Sequence, residues 1–220
     1  MQLVIFDLDG TLIDSKQDLV DSTNATRVEM GMAPLSEELV ASYVGNGAPT
    51  LIRRAMGAAA SDEEVERALS FFLKHYFVHM LDKTVLYPGV REALDELKAA
   101  CVPMAVLTNK PMAYSVAIVE GLGLSDHFFR IYGGDSFPLK KPDPVGINAL
   151  VTELNIARQA TIMVGDSQID IKTARNAGVQ ACGVTFGLQP ETLTAEPPDL
   201  LVDDMRELSR YVISNAGSSC

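Results

Sequence analysis

Two aspartates, Asp7 and Asp9, lie in an apolar run near the start of the chain. The run over residues 4–13 predicts a buried β-strand, and because side chains alternate along a strand, both carboxylates face the same side. Gly10 then allows the backbone to turn sharply away from the sheet. Two carboxylates this close repel each other unless a divalent cation lies between them. The pair therefore predicts a cation site at the carboxyl end of a strand, where open α/β sheets bind their ligands.

Polar residues that could complete such a site follow the later apolar runs. They are Thr108, Asn109 and Lys110 after residues 104–107, Lys140 and Lys141 after a loop, and Asp166 and Asp170 after residues 162–164. Because the carboxyl ends of parallel strands meet at one edge of a sheet, we expect these side chains to converge there. A hydroxyl donor, a lysine and further acids around a pair of aspartates make a site for phosphate and magnesium.

In this order the segments resemble the haloacid dehalogenase superfamily of phosphohydrolases. The matches are Asp7-Leu8-Asp9-Gly10-Thr11 to its first motif, Thr108 to its second, Lys141 to its third, and Gly165-Asp166-Ser167 with Asp170 to its fourth. The resemblance covers nearly the whole chain. It implies phosphoryl-transfer chemistry with Mg²⁺ as the cofactor.

The pattern of apolar residues predicts an α/β fold, a doubly wound parallel sheet. We predict strands at residues 3–8, 104–107, 131–133, 161–164, 181–184 and 200–202, and helices at 90–99, 113–122, 144–154, 169–176 and 206–215. The stretch between Ile13 and Leu86 is instead almost entirely helical. A helical insertion directly after a catalytic strand indicates a cap domain that closes over the site. We therefore predict a Rossmann-like core of residues 1–13 and 84–220, and a small α-helical cap domain of residues 14–83.

Two features inside the predicted cap bear on its structure. The segment from Ser15 to Asp18 has the spacing of a capping box at the start of a helix. The aromatic residues between Phe71 and Met80 are interpreted as the interior of the cap.

The composition argues against several classes of protein. A formal net charge of −11 over 220 residues disfavours nucleic acid or an anionic membrane as the main partner. No run reaches the length of a membrane-spanning helix and the first strand leaves no room for a signal peptide, so we expect a cytoplasmic protein. The partner expected is a small phosphorylated metabolite, bound by a monomer or a homodimer. The three cysteines show no metal or disulfide spacing, and Cys220, in a tail rich in Gly and Ser, is expected to have an exposed thiol.

The resemblance implies a role for each catalytic residue. Asp7 would be the nucleophile, forming an aspartyl phosphate that water hydrolyses. Asp9 would be the general acid and base, which protonates the leaving oxygen and then activates water. Lys141 would neutralise the phosphoryl oxygens, and Thr108 would donate a hydrogen bond to one of them.

The same resemblance implies the ligands of the cation. Magnesium would bind oxygens of Asp7, the main-chain carbonyl of Asp9, Asp166 and the phosphate. Asp170 would orient a metal-bound water or Lys141 rather than bind the metal itself.

Two neighbouring residues leave alternatives. Lys141 is preferred to Lys140 because it directly precedes Pro142, as in the family motif. Asn109 either helps to bind the phosphorylated aspartate or only shapes the turn after its strand.

Within the superfamily the closest resemblance is to phosphoglycolate phosphatases. It lies in Val44-Gly45-Asn46-Gly47-Ala48 followed by Arg54-Ala55, in Thr108-Asn109-Lys110, and in Lys140-Lys141-Pro142. Asn46 between two glycines, with Arg53 or Arg54 nearby, could hold a small carboxylate through main-chain N–H groups and a cation. The substrate-binding residues expected are therefore Gly45, Asn46, Gly47, Arg54, Thr108, Asn109 and Lys110. The chain departs from this family at Pro49, and at Asp143, where many members have histidine.

Other activities stay open at this point. The second carboxylate, Asp9, argues against dehalogenation, and no lysine of the predicted cap has the apolar surroundings of a Schiff-base residue. Hydrolysis of pyrophosphate, nucleotides or sugar phosphates, and isomerisation of phosphohexoses, would use the same core residues. A binding module without catalysis is disfavoured because Asp7, Asp9, Lys141 and Asp166 are all present.

Overall fold

The molecule is built on a six-stranded sheet with every strand parallel to its neighbours. The structure, a computed structural model, describes residues 1–215. The strands are β1 (Leu3–Phe6), β4 (Met104–Leu107), β5 (Arg130–Tyr132), β6 (Thr161–Gly165), β7 (Gln180–Val184) and β8 (Leu200–Val202), in the order β5-β4-β1-β6-β7-β8. The predicted parallel α/β sheet is confirmed, and β1 lies at its centre, between β4 and β6.

Helices cover both faces of this sheet. They are α5 (Val90–Ala99), α6 (Met112–Gly121), α7 (Val145–Glu153), α8 (Gln168–Ala177) and α9 (Met205–Ser214). Val4 and Phe6 of β1 pack in a cluster with α5, α6 and α9, whereas Leu3 and Ile5 pack with α7 and α8. Successive residues of β1 therefore enter opposite layers, and the doubly wound arrangement follows from this alternation.

Four further helices lie between residues 14 and 83. They are α1 (Lys16–Glu29), α2 (Glu37–Ala41), α3 (Ala48–Met56) and α4 (Asp62–His79), and α4 contacts both α1 and α3. The chain reaches them through β2 (Ile13–Asp14) and returns through β3 (Val85–Leu86), which pair in antiparallel fashion. The sequence did not predict this ribbon, because a two-residue strand is too short to show alternation.

The predicted capping box at the start of α1 is wrong. Ser15 makes no capping hydrogen bond through its side chain. Its hydroxyl instead donates to Asp9 Oδ1 at 2.6 Å. The Asp18 carboxylate accepts hydrogen bonds from the main-chain N–H groups of Lys83 and Thr84 and from the Thr84 hydroxyl. Both residues thus bond to groups distant in sequence, which local spacing could not reveal.

Two expectations from the sequence concern the cysteines and the absence of a membrane-spanning helix. Among the described residues, Cys101 is exposed and Cys182 is buried, both as free thiols. The expectation for Cys220 lies outside the described residues. No helix within residues 1–215 has the length and apolar character needed to cross a bilayer.

Replacing Asp18 with alanine is expected to destabilise the protein. Asp18 is 2% exposed and its removal leaves two main-chain donors and a hydroxyl without an acceptor, at a cost of about 3 kcal/mol of unfolding free energy. Asp21→Ala is the matched control on the same helix: its partner Lys83 is largely exposed, and about 0.5 kcal/mol is expected. Denaturant unfolding measures both. Equal losses would show that Asp18 does not anchor α1 to the return segment.

Candidate active site

The centre of the site is a group of buried carboxylates at the carboxyl edge of the sheet. Phe6 of β1 lies opposite Val164 of β6, so Asp7 and Asp166 follow neighbouring strands. Asp170, in the first turn of α8, points back to the same place. Carboxylate oxygens of these three residues lie within 4.8 Å of one another. The structure therefore brings together Asp7, Asp166 and Asp170 as the sequence analysis expected.

Gly10 makes this close approach possible. Its φ of +80° belongs to the left-handed region that favours glycine. A Cβ atom at this position would lie 2.3 Å from Asp166 Oδ2. Any other residue here would displace the carboxylate from the cluster.

A single lysine bridges two members of the cluster. Lys141 Nζ lies 2.9 Å from Asp7 Oδ1 and 2.6 Å from Asp170 Oδ1. Asp170 also accepts hydrogen bonds from the main-chain N–H and the hydroxyl of Ser167 through its other oxygen. Lys140, by contrast, is exposed. The structure thus places Lys141 in the site, and Asp170 is oriented by its own partners.

Asn109 has a role that neither of the two sequence interpretations described. Its side-chain oxygen accepts from Lys141 N at 3.0 Å, and its amide donates to Lys141 O at 3.1 Å and to Gly45 O at 3.0 Å. Its amide group is therefore engaged with main chain. It fixes the backbone of the bridging lysine and connects the loop after β4 to the loop before α3.

Asp166 accepts hydrogen bonds from a loop, after β7, that the sequence analysis missed. The main-chain N–H groups of Leu188 and Gln189 donate to Asp166 Oδ2 at 2.7 and 3.1 Å. The Gln189 side chain then donates to the carbonyls of Ser42 and Val44, each at 3.0 Å. No sequence signal identified this loop, because its contribution is mainly through main-chain atoms.

The second aspartate of the first motif points to a different partner. Lys110 Nζ lies 2.9 and 3.0 Å from the two carboxylate oxygens of Asp9. The same ammonium donates to the Tyr76 hydroxyl at 2.7 Å. Tyr76 belongs to the aromatic stretch that the sequence analysis interprets as the interior of the cap. It is buried, and it also lines the site beside Asp9 and Lys110. The signal that could have identified it is a polar hydroxyl within an otherwise apolar helix face.

Several of these residues line a cavity between the sheet edge and helices α1, α3 and α4. Its volume is about 50 Å³, room for only a few water molecules. Asp7, Asp9, Thr108, Asn109 and Lys110 form its polar side, and Leu19, Val44, Leu51, Phe72 and Tyr114 are among its apolar walls. Thr108 is buried, and its hydroxyl oxygen accepts a hydrogen bond from Lys110 N at 3.3 Å.

The predicted carboxylate-binding loop is only partly present in this cavity. Gly45 and Gly47 line it, but Asn46 and Arg54 do not. Arg54 is exposed on α3. The other arginine considered, Arg53, donates to the Ala60 carbonyl and pairs with Asp62. Arg54 therefore lies outside the cavity in this structure, with its side chain exposed to solvent.

The buried carboxylates carry more negative charge than the protein neutralises. Burial raises the pKa of Asp7 to about 6, with Lys141 opposing and Asp170 reinforcing the rise. Burial, together with Asp170 and Asp7, raises the pKa of Asp166 to about 8. A divalent cation would neutralise this excess negative charge, and carboxylate oxygens are the ligands that Mg²⁺ prefers. The donor set of Asp7 and Asp166 fits such an ion. Both carboxylate oxygens of Asp9 already accept hydrogen bonds, so the main-chain carbonyl of Asp9 is the group that could bind the ion.

Comparison with known proteins agrees with this geometry. The family model described as haloacid dehalogenase-like hydrolase matches residues 4–184. A phosphoglycolate phosphatase from Chromobacterium violaceum is 41% identical over 94% of this chain and 95% of its own length. One from Pseudomonas putida is 39% identical over 94% of this chain and 78% of its own length. Among solved structures, a predicted phosphoglycolate phosphatase from Haemophilus somnus superposes with a TM-score of 0.91 at 32% identity, covering 96% of this chain and 97% of that one.

Magnesium is expected to raise the unfolding temperature more at about pH 8 than at about pH 5.5. The pKa values of Asp7 and Asp166 in the folded protein lie above the unfolded value of roughly 3.9, so the metal-free protein loses stability as the pH rises through them. The ion must displace protons at low pH and meets charged ligands at high pH. Thermal unfolding with and without Mg²⁺ at both pH values measures this, and Asp166→Asn should abolish the difference. A larger shift at the lower pH would contradict the assignment.

Proposed function

The chain belongs to the haloacid dehalogenase-like hydrolases and is a phosphatase, and we propose that it uses Mg²⁺ to hydrolyse 2-phosphoglycolate through a phosphorylated Asp7. The observation that carries this proposal is the buried group of Asp7, Asp166 and Asp170 around Lys141. An anionic phosphate can approach such a group only if a cation and an ammonium offset its charge.

Asp7 is the nucleophile in this proposal. Its Oδ1 accepts from Leu8 N at 2.7 Å and contacts Lys141, which fixes the orientation of the carboxylate toward the cavity. Attack on phosphorus forms the acyl phosphate and releases the alcohol oxygen of the ester; water then attacks phosphorus and regenerates Asp7. Mg²⁺, held by Asp7, Asp166 and the Asp9 carbonyl, would supply charge neutralisation of the phosphoryl oxygens.

The remaining polar residues support the two steps. Asp9 lines the cavity beside Asp7 and is proposed to protonate the leaving oxygen and then to activate water. Ser15 and Lys110 set the position of its carboxylate. Lys141 and the Thr108 hydroxyl are proposed to bind phosphoryl oxygens, with Lys141 held in place by Asn109.

The helices over residues 14–83 are proposed to act as the cap, with residues 1–13 and 84–220 as the core. Hydrogen bonds that join the two parts near the site include those of Asn109 with Gly45, Gln189 with Val44, and Lys110 with Tyr76. With these links made, the cavity holds only a few water molecules. Substrate must therefore enter when the links are broken, and remaking them would enclose it away from water.

The small size of the cavity and the names of the relatives both favour a small substrate. The relatives from Chromobacterium violaceum and Pseudomonas putida are phosphoglycolate phosphatases. A nucleotide or a hexose phosphate would force the helices further from the sheet than a two-carbon ester. We therefore propose 2-phosphoglycolate as the substrate.

Asp7→Asn is expected to abolish turnover while the fold is kept. The amide cannot attack phosphorus, and the loss should be on the order of a thousand-fold or more in kcat. Acid quenching during turnover, followed by mass spectrometry, should find phosphate on Asp7 in the wild type and none in the variant. Lys140→Gln, an exposed neighbour of Lys141, is the control that should retain activity. A variant with a tenth of the wild-type rate would exclude Asp7 as the nucleophile.

Substrate and metal are tested together by phosphate release. The panel is 2-phosphoglycolate, pyrophosphate, a nucleoside monophosphate, a hexose phosphate and an aryl phosphate, each with Mg²⁺, with chelator and with Ca²⁺. We expect the highest kcat/KM for 2-phosphoglycolate, no turnover with chelator, and inhibition by Ca²⁺, whose longer bonds and higher coordination number would engage both oxygens of Asp7. Equal turnover in excess chelator would contradict the metal; preference for another ester would contradict the substrate alone.

A further inference from the structure

The polar side of the cavity includes a cationic side chain, Lys110. Among the described residues that line it, Lys110 is the only lysine or arginine, and Asp7 and Asp9 are the only acids. Lys141, the other buried lysine at this edge, is engaged by Asp7 and Asp170 beneath the cavity. A substrate with a second negative group besides its phosphate would therefore meet Lys110.

The ammonium group of Lys110 is buried and fixed in position at the cavity. Its side chain is 5% exposed, with Nζ between the Asp9 carboxylate and the Tyr76 hydroxyl. Burial would lower its pKa, but Asp9 and Tyr76 outweigh that effect and leave the pKa raised. Contact with the Asp9 carboxylate favours the charged form of Lys110, an ammonium with three donor hydrogens.

Tyr76 provides a donor next to this ammonium. Its hydroxyl oxygen accepts from Lys110, so its own hydrogen must point to another acceptor. Within residues 1–215 no hydrogen bond donated by this hydroxyl is found, although the residue is 2% exposed. The hydroxyl and the ammonium, 2.7 Å apart, form a pair of donors that matches the two oxygens of a carboxylate.

The surroundings strengthen such a contact. Leu19, Leu51 and Phe72 form apolar walls around the pair, so that water competes poorly for the ligand and the electrostatic attraction is larger than in solvent. Arg54, the residue suggested by the sequence, has neither the burial nor the position to do this.

We propose that Lys110 of the core and Tyr76 of the cap together bind the carboxylate of the substrate, beside the phosphate that Asp7 attacks. This rests on the proposed function, and it assigns the choice of a carboxylated ester to these two residues. Because Tyr76 reaches Lys110 only when α4 lies over the sheet edge, a bound carboxylate would also favour the closed arrangement of the cap.

The test compares 2-phosphoglycolate with its amide, 2-phosphoglycolamide, which has the same shape without the charge. The measured quantity is the ratio of the two kcat/KM values. Lys110→Met should reduce this ratio about 30-fold and Tyr76→Phe about 5-fold, from loss of a charged and a neutral hydrogen bond respectively. Lys110→Arg should keep most of the ratio. Lys74→Met, an exposed lysine on the same helix as Tyr76, should leave it unchanged.

The ratio of the two kcat/KM values distinguishes binding of the carboxylate by Lys110 from a role in which Lys110 only positions Asp9. If Lys110 only positions Asp9, Lys110→Met slows both esters equally and the ratio stays constant, which would overturn the proposal. If Lys110→Met is inactive toward both esters, the Tyr76→Phe variant decides, because within residues 1–215 Tyr76 forms a hydrogen bond with Lys110 and none with Asp9. A ratio that collapses in Arg54→Gln instead would assign the carboxylate to α3. A wild type that does not distinguish the two esters, yet hydrolyses an aryl phosphate, would overturn the substrate itself.

Discussion

The concentration of negative charge at the carboxyl edge of the sheet is the constraint on which the rest of the structure depends. Asp7, Asp166 and Asp170 are buried within a few ångströms of one another, and Lys141 is the one ammonium of residues 1–215 that contacts two of them. Uncompensated carboxylates in a protein interior are costly, and the raised pKa values of Asp7 and Asp166 express that cost. A bound cation would stabilise the arrangement in its charged form. In the proposed function a phosphate ester then completes the balance, since it brings charge of the sign that the cation attracts.

The same carboxylates connect the core to the helices above it. Asp166 is held by the main chain at Leu188 and Gln189, and Gln189 also binds carbonyls beside α2. Asn109 holds the backbone of Lys141 and also contacts the loop before α3. Movement of the helices therefore changes contacts of residues that position the charged groups. In the proposed cycle, closure of the cap and completion of the site are one event rather than two.

Two buried lysines, Lys141 and Lys110, have different electrostatic roles. Lys141 lies below the cavity with Asp7 and Asp170, where the phosphoryl group would be transferred. Lys110 lies at the side of the cavity with Asp9, where a second substrate charge would be met. Each is neutralised by a neighbouring acid, so neither is an unpaired charge in the interior. This pairing explains how a chain with a net charge of −11 can present positive groups to an anionic ligand.

The sequence by itself determined the sheet and the core of the site. The apolar run at the start of the chain predicted that Asp7 and Asp9 lie together at a strand end, and parallel strand direction predicted that Asp166 and Lys141 approach them, because these rules depend only on local periodicity and strand direction. The strand itself proved shorter than predicted: β1 ends at Phe6, so both aspartates lie beyond it. Tertiary structure alone decided which groups meet across the cavity. Tyr76 reaches Lys110 and Gln189 reaches the loop at Val44 through contacts between segments distant in sequence, and Arg54 turns away because α3 packs with its other face inward. No pattern in a single segment encodes such contacts, since they depend on how the helices are placed over the sheet.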